Sequence, residues 1–163
     1  MKYVKWIFVV LLICSLTSFV DKPVSGLKVG DVAPDFTVET TSGGQSQTLS
    51  MLKGKYVLLS FWASSDAPSR LQNVSLSNVL RENSSANVEM VSVSFDSYRS
   101  IFEETVRKDR LIAPICFVQT TGQASDIYKT YRLNRGFGNY LLNDQGVIIA
   151  KNISTAELSA YLN

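Results

Sequence analysis

Two apolar stretches separated by a helix-length segment constrain the fold of this 163-residue chain. Tyr56–Trp62 is a nearly continuous apolar run, which is typical of a central strand buried on both faces. Val88–Phe95 alternates and is apolar enough to form a second central strand. The segment between them predicts a helix that begins near Asp66–Pro68, because proline is tolerated in a first helical turn. A strand, a helix and a strand in this order indicate a parallel crossover.

The spacing of apolar residues predicts which face each of the two longer helices turns towards the core. For the first helix, the predicted inward face consists of Leu71, Val74, Asn78, Val79 and Leu80. For a second helix after Val88–Phe95, the face is marked by Tyr98, Ile101, Phe102 and Val106. Both helices are therefore expected to pack against the sheet through these side chains.

The remaining segments complete an α/β fold class. Shorter extended or helical segments are predicted at Phe36–Glu39, Ser46–Leu49, Ser50–Gly54, Ile112–Val118 and Ala124–Tyr131. Asn139–Leu142 and Val147–Ala150 predict a late hairpin. Ser154 and Glu157 have the spacing of a capping box that opens a final helix. The order predicts a mixed central sheet with helices on both faces.

The N-terminal residues differ in composition from the rest of the chain. Residues 1–20 contain Lys2 and Lys5, a short apolar run and then small polar residues, which predicts a secretory signal peptide. Residues 21–30 are predicted to form a linker, and residues 31–163 are predicted to form the folded domain. The protein is expected to be secreted or periplasmic. Membrane association is expected only if the apolar run, shorter than the ~20 residues of a spanning helix, stays uncleaved, or if Cys14 is lipidated. Ile13 before Cys14 fits a lipidation site poorly.

The ionisable residues restrict the chemistry. The chain has 16 basic and 14 acidic residues, and removal of residues 1–20 with their two lysines leaves 14 of each. A neutral domain argues against a nucleic-acid partner. The absence of histidine excludes histidine-based acid–base catalysis and histidine metal ligands, so no metal or cofactor is expected. Beyond the predicted signal peptide, Cys116 is the one cysteine, so no internal disulfide can form.

Several motifs resemble one protein family. They are Gly26–Phe36, Leu49–Lys55, Phe61–Ala63, Val91–Asp96, Tyr128–Leu133 and Tyr140–Gly146. In this order they resemble the thioredoxin-like superfamily, and within it the AhpC/TSA and TlpA/ResA-type thiol–disulfide reductase branch, over residues 26–163. The resemblance implies a thioredoxin-like three-layer sandwich around the mixed sheet.

The departures from the family pattern fall on its chemistry. In the family, Phe-Trp-Ala leads into a Cys-x-x-Cys pair, and the matching positions here are Asp66 and Ser69. A carboxylate and a hydroxyl cannot exchange disulfides, so no catalytic residue is expected there. Ser60 occupies the position of a buried acid common in thioredoxins. Phe137 matches the cis-proline of the family, and a trans peptide is expected because a non-proline cis bond costs ~3 kcal/mol.

The retained frame and the altered reactive positions predict a non-catalytic module that binds a protein or peptide. The expected binding residues surround the altered turn and the loop at Phe137: Trp62, Ser64, Ser65, Asp66, Pro68, Ser69, Phe137 and Gly138. For Asp66, a role as helix N-cap, worth ~1 kcal/mol over alanine, is favoured over a ligand contact. Trp62 is favoured as a partly buried packing residue. Asp96, at the end of a strand, is expected to form a cap or turn.

One alternative is a thiol-dependent oxidoreductase or peroxidase-like enzyme that uses Cys116. The apolar residues around Cys116 instead predict a buried thiol with a raised pKa. A second alternative is a spacer subunit of an assembly in the cell envelope.

Overall fold

The structure is a computed structural model that describes residues 24–39, 46–83, 87–111, 113 and 115–162. The predicted signal peptide, residues 1–20, lies outside these residues. Across the part of the chain that is described, no helix combines the length and apolar character needed to cross a membrane.

The strands form two sheets. They are β1 (Thr37–Glu39), β2 (Ser46–Thr48), β3 (Tyr56–Trp62), β4 (Val88–Ser94), β5 (Ile115–Val118), β6 (Asn139–Leu142) and β7 (Ile148–Lys151). β1 and β2 form a small antiparallel pair, and the other strands lie in the order β5-β4-β3-β6-β7. β3 and β5 run parallel to β4, whereas β6 runs antiparallel to β3 and to β7. The mixed sheet is therefore confirmed, with the parallel β3-helix-β4 unit at its centre.

Four α-helices connect these strands or follow them in the described residues: α1 (Ala67–Glu82), α2 (Arg99–Asp109), α3 (Asp126–Thr130) and α4 (Thr155–Leu162). Single 3-10 turns occur at Leu49–Leu52, Gly122–Ala124 and Leu133–Arg135. The capping box predicted for α4 forms, because Ser154 N donates to Glu157 Oε2 at 2.7 Å and Glu157 N donates to Ser154 Oγ at 3.3 Å.

Alternation along the central strands separates two apolar clusters, one on each face of the sheet. On one face, Leu58, Met90 and Leu141 pack with residues from α1, α4 and the segment before α4: Leu76, Ile153 and Leu158. On the other face, strand residues that include Leu59, Phe61 and Val93 form the larger cluster. They pack with Ile127 of α3 and with Tyr131 and Leu133 after it. Helices thus cover both faces of the sheet, as predicted.

The inward face predicted for α1 is only partly right. Val79 and Leu80 are half-buried and pack against the cluster around Leu58. Leu71 is 68 % exposed, and the buried residues of the helix are Ser69, Asn73, Leu76 and Ser77. Polar groups on the strands beneath α1 explain the difference. Trp62 Nε1 donates to Ser92 Oγ at 2.8 Å, and Ser92 Oγ donates to Asn73 Oδ1 at 3.1 Å. Much of the helix therefore faces the sheet through small polar side chains that satisfy these groups.

The prediction for α2 is only partly right. Phe102 is buried, with its ring centroid 6.2 Å from that of Trp62, and Thr105 is buried one turn later. Tyr98 and Ile101, which the apolar spacing places on the inward face, are exposed.

The first described residues run along β7. Gly30 N donates to Ile148 O at 2.9 Å, Ile148 N donates to Asp31 O at 2.9 Å, and Ala33 N donates to Gly146 O at 3.0 Å. Leu27 packs against the larger apolar cluster. Residues 24–30, predicted as part of a linker, are thus attached to the domain, while residues 21–23 lie outside the described residues.

Candidate functional site

The candidate site lies at the edge of the sheet where the parallel strands β3 and β4 end. Phe95 N donates to Trp62 O at 2.9 Å, and Phe61 N donates to Gly138 O at 3.0 Å. These bonds place the turn 63–66, the end of β4 and the loop 136–138 beside one another. Ends of parallel strands are where ligand sites form in open α/β sheets.

Asp66 is the N-cap of α1. Its backbone is extended, and its Oδ1 accepts a hydrogen bond from Ser69 N at 2.9 Å. Ser69 Oγ donates in return to Asp66 O at 3.1 Å. Hydrogen bonds from the side chain and backbone of Ser69 lower the pKa of Asp66 below its usual value. The first turn of α1 therefore carries a carboxylate and a hydroxyl that bond each other's backbone, and Pro68 lies between them.

Asp96 fixes the position of this turn, a role that the sequence does not reveal. The side chain is only 6 % exposed. Its Oδ1 accepts from Ser64 N at 2.9 Å, and its Oδ2 accepts from Ser64 Oγ at 2.7 Å and from Ser94 Oγ at 2.6 Å. Ser64 Oγ also lies 2.8 Å from Thr105 Oγ1 of α2. The prediction that Asp96 forms a cap or turn understates its role, because the carboxylate joins β4 to the turn, and Ser64 extends this network to α2.

An ion pair joins α1 to α2 beside the turn. Arg70 Nε donates to Asp109 Oδ2 and Arg70 Nη2 donates to Asp109 Oδ1, both at 2.6 Å. The guanidinium of Arg70 lowers the pKa of Asp109 below its usual value. Ser64, Ala67, Leu71 and Val74 line the same depression as this pair, with a volume of about 410 Å³. The N-terminal end of α1 thus borders a surface groove whose lining includes apolar side chains.

The predicted binding residues divide into accessible and buried ones. Ser65 and Pro68 are exposed, and Asp66, Phe137 and Gly138 are partly exposed. Ser64 is partly exposed, but its hydroxyl is engaged by Asp96.

Trp62 and Ser69 require a correction. They are 1 % and 6 % exposed respectively, so neither side chain offers a surface to a partner. Trp62 packs beneath the site as a fully buried residue, where the sequence predicts partial burial. Ser69 lies on the buried face of α1, with Asn73 and Ser77.

The loop before β6 is held by aromatic packing. The ring of Phe137 stacks on Phe95 with centroids 5.8 Å apart and an interplanar angle of 19°, and it meets Tyr128 edge-on at 6.4 Å. Gly136, at φ 113°, adopts a left-handed conformation that favours glycine. The trans peptide expected at Phe137 is confirmed, since no cis bond occurs in the described residues.

Cys116 lies on β5, paired in register with Ser92 of β4 and partly buried. Burial raises the pKa of its thiol to about 11, and a hydrogen bond with Ser92 offsets only part of that effect. The thiol therefore stays protonated at neutral pH, in agreement with the raised pKa that the apolar neighbours predict. Within the described ranges, no group of three or more cysteine, aspartate or glutamate residues is placed to hold a metal ion.

Comparison with known proteins agrees with this architecture. The strand order β5-β4-β3-β6-β7, with α1 beginning at the turn after β3, defines a thioredoxin-like protein. The model of the AhpC/TSA family matches residues 29–151, and the chain belongs to this family. The predicted thioredoxin-like, ResA-type branch is thereby confirmed, and its members include thiol–disulfide oxidoreductases.

Individual relatives extend the comparison. A thioredoxin-like protein of Parabacteroides distasonis, known from a crystal structure, is 38 % identical, with a TM-score of 0.73 over 86 % of this chain and 98 % of that one. The thiol–disulfide oxidoreductase ResA of Oceanobacillus iheyensis is 31 % identical over 63 % of this chain. The thioredoxin-like protein YneN of Bacillus subtilis is 34 % identical over 57 % of this chain. The chain matches 54 % and 58 % of the lengths of these last two relatives.

Proposed function

We propose that this domain binds a protein or peptide at the surface around the first turn of α1 and the loop at Phe137, without exchanging disulfides there. One observation carries the proposal: the N-terminal turn of α1 has Asp66 at its N-cap and Ser69 three residues later, and neither residue has a thiol. Disulfide exchange needs a thiolate that attacks sulfur and a second thiol that releases the mixed disulfide. The oxygen atoms of Asp66 and Ser69 perform neither step, and they are already engaged in capping α1.

The surface next to this turn suits a protein partner. Leu71 is 68 % exposed and lies in the groove with Val74, bordered by the Arg70–Asp109 ion pair. A large apolar side chain within a polar rim is a common arrangement at protein interfaces. Ser65 and Pro68 extend the exposed surface towards the turn. The partner is therefore expected to insert an apolar side chain against Leu71.

A secreted or periplasmic location is part of the same proposal. Its support is the composition of residues 1–20, with two lysines ahead of a short apolar run.

The environment of Cys116 argues against the alternative of a thiol-dependent enzyme. A nucleophilic cysteine requires a lowered pKa and an accessible sulfur. Burial instead raises the pKa of Cys116 to about 11, and the residue lies within β5, paired with Ser92. The alternative is tested together with the proposal.

The chemical test measures reduction of insulin disulfides and turnover of peroxide by the purified protein. We expect no activity above background, and the Cys116→Ser variant should behave identically. Robust rates that disappear in Cys116→Ser would refute the proposal and establish a one-cysteine enzyme. Titration with an aromatic disulfide gives a second readout, since the thiol of Cys116 should react rapidly only after unfolding.

The binding test is capture of a partner from extracts of the cell envelope by the immobilised protein. Leu71→Asp should abolish capture, because it places a charge in the apolar groove. Met51→Asp is the matched control, since Met51 is equally exposed, at 69 %, in the turn Leu49–Leu52. Equal capture by the wild-type protein and Leu71→Asp would contradict a role for this surface.

A further inference from the structure

A second concave region lies beside the loop at Phe137. It is a cavity of about 630 Å³ between the first described residues, the segment from α3 to β6, and the end of β7. Its charged lining residues are Lys28, Asp31, Arg132, Arg135 and Lys151. Leu27, Phe137 and Tyr140 supply apolar and aromatic surface.

The charges around this cavity are unbalanced. Four cationic side chains face one carboxylate, although the formal net charge of the whole chain is only +2. The carboxylate is Asp31, whose Oδ2 already accepts a hydrogen bond from Lys28 N at 2.8 Å. The ion pairs identified among the described residues involve none of these four cations. The cavity lining therefore carries an excess of positive charge, which Asp31 only partly balances.

Two of the cations act on the same wall of the cavity. Lys151 Nζ lies 5.3 Å from the centre of the Tyr140 ring. Arg132 lines the same cavity, and its charge opposes the rise in the pKa of Tyr140 that burial causes. Arg132 also has a left-handed backbone, with φ 54°. Such a conformation is unfavourable for a non-glycine residue and is often found at functional sites.

We infer that this cavity binds a small organic anion that carries two or more carboxylate or phosphate groups. Guanidinium groups pair with such anions through two parallel hydrogen bonds, and the half-buried side chains of Leu27 and Phe137 would contact the carbon skeleton. The volume falls within the range of ~300–1,000 Å³ typical of small-ligand pockets. The cavity shares the loop at Phe137 with the surface of the proposed function, but the inference rests on the four cations and not on the groove at Leu71.

Isothermal titration of the full protein with citrate, at constant ionic strength, tests this inference. Citrate should bind, and acetate should bind at least about tenfold more weakly, because it offers a single charge to several cations. The triple variant Arg132→Gln, Arg135→Gln, Lys151→Gln should weaken citrate binding at least about tenfold. A matched control alters three exposed cations on α1 and α2 with the same loss of charge: Arg81→Gln, Arg99→Gln and Lys108→Gln. The control should bind citrate as the wild-type protein does.

Three results would overturn the inference: no heat of binding with citrate, equal weakening in the cavity and control variants, or equal affinity for citrate and acetate. Amide chemical shifts provide a measurement that does not depend on the variants folding. Citrate should perturb the amides of Gly136, Gly138 and Tyr140, and perturbations confined to other regions would refute this location. The Leu71→Asp variant should bind citrate normally, so failure of the proposed function leaves this result unaffected.

Discussion

Replacement of Asp96 by alanine should destabilise the domain by about 3 kcal/mol. The carboxylate accepts three hydrogen bonds, from Ser64 N, Ser64 Oγ and Ser94 Oγ. Hydrogen bonds to a charged group contribute ~1.5–3 kcal/mol each. The sum over the three bonds is an upper limit on the loss of stability, and it lies well above the loss that we expect. Two effects reduce the loss: the serine hydroxyls can rotate towards other acceptors, and removal of a buried charge recovers its desolvation cost. The backbone N–H of Ser64 has no such freedom.

Urea unfolding followed by circular dichroism measures this change in the free energy of unfolding. The midpoint should fall markedly while the dependence on urea concentration stays constant, because the folded core is retained. Asp126→Ala is the control, since the side chain of Asp126 is fully exposed and its nearest cation lies 4.0 Å away. It should cause a far smaller shift. Amide hydrogen exchange adds a local readout, because Ser64 N–H should exchange faster in Asp96→Ala.

A double-mutant cycle with Ser64→Ala separates the turn contact from other effects of the substitution. The coupling energy between Asp96 and Ser64 should exceed ~1 kcal/mol, since they share a buried hydrogen-bond network. A loss of stability below ~1 kcal/mol in Asp96→Ala, with unchanged exchange at Ser64, would refute the idea that this carboxylate anchors the turn.

Further predictions concern α1. Asp66→Ala should cost ~1 kcal/mol in urea unfolding, whereas Asp66→Asn should be nearly neutral, because asparagine also caps helices. The lowered pKa of Asp66 means that its stabilising contribution is fully present above pH ~3.9, the pKa of an aspartate in the unfolded chain. The contribution is lost as the pH falls through the lower pKa that Asp66 has in the folded protein. The gap between Asp66→Ala and the wild-type protein should therefore shrink on acidification, and a constant gap would contradict this. The double variant Asp66→Cys, Ser69→Cys should form a disulfide, seen as loss of two titratable thiols. Failure to oxidise in a folded protein would contradict the inference that this turn keeps the backbone geometry of the Cys-x-x-Cys turn of the family. Leu76→Ala should cost ~2–5 kcal/mol and Leu71→Ala almost nothing, since only Leu76 is buried; similar values would show that the face of α1 is misassigned.

The sheet could be predicted well because its signals are local. β3 has the predicted bounds, Tyr56–Trp62, since a strand buried on both faces is apolar at nearly every position. The late hairpin and the capping box of Ser154 and Glu157 also depend on residues close in sequence. The hairpin and the capping box form their hydrogen bonds within a short stretch of chain, whereas β3 is marked by its apolar composition alone.

The orientation of α1 and the anchor of the turn could not be predicted in this way. The spacing of apolar residues predicts that Leu71 is buried, because this criterion assigns the most hydrophobic side chains to the core. The polar chain from Trp62 through Ser92 to Asn73 needs small polar groups on the helix instead. The contact of Ser64 with Asp96 joins residues 32 apart in sequence, so it follows from strand order and not from any local pattern.

The hydrogen bonds between residues 30–33 and β7 bear on self-association. Unpaired strand edges can recruit strands from other chains, which leads to aggregation or swapping. The contacts of Gly30 and Asp31 with Ile148 shield the β7 side of the sheet. In the described part of the chain, no strand pairs with the outer side of β5, a strand of only four residues. Any strand exchange between copies should therefore begin at the β5 side, next to Cys116.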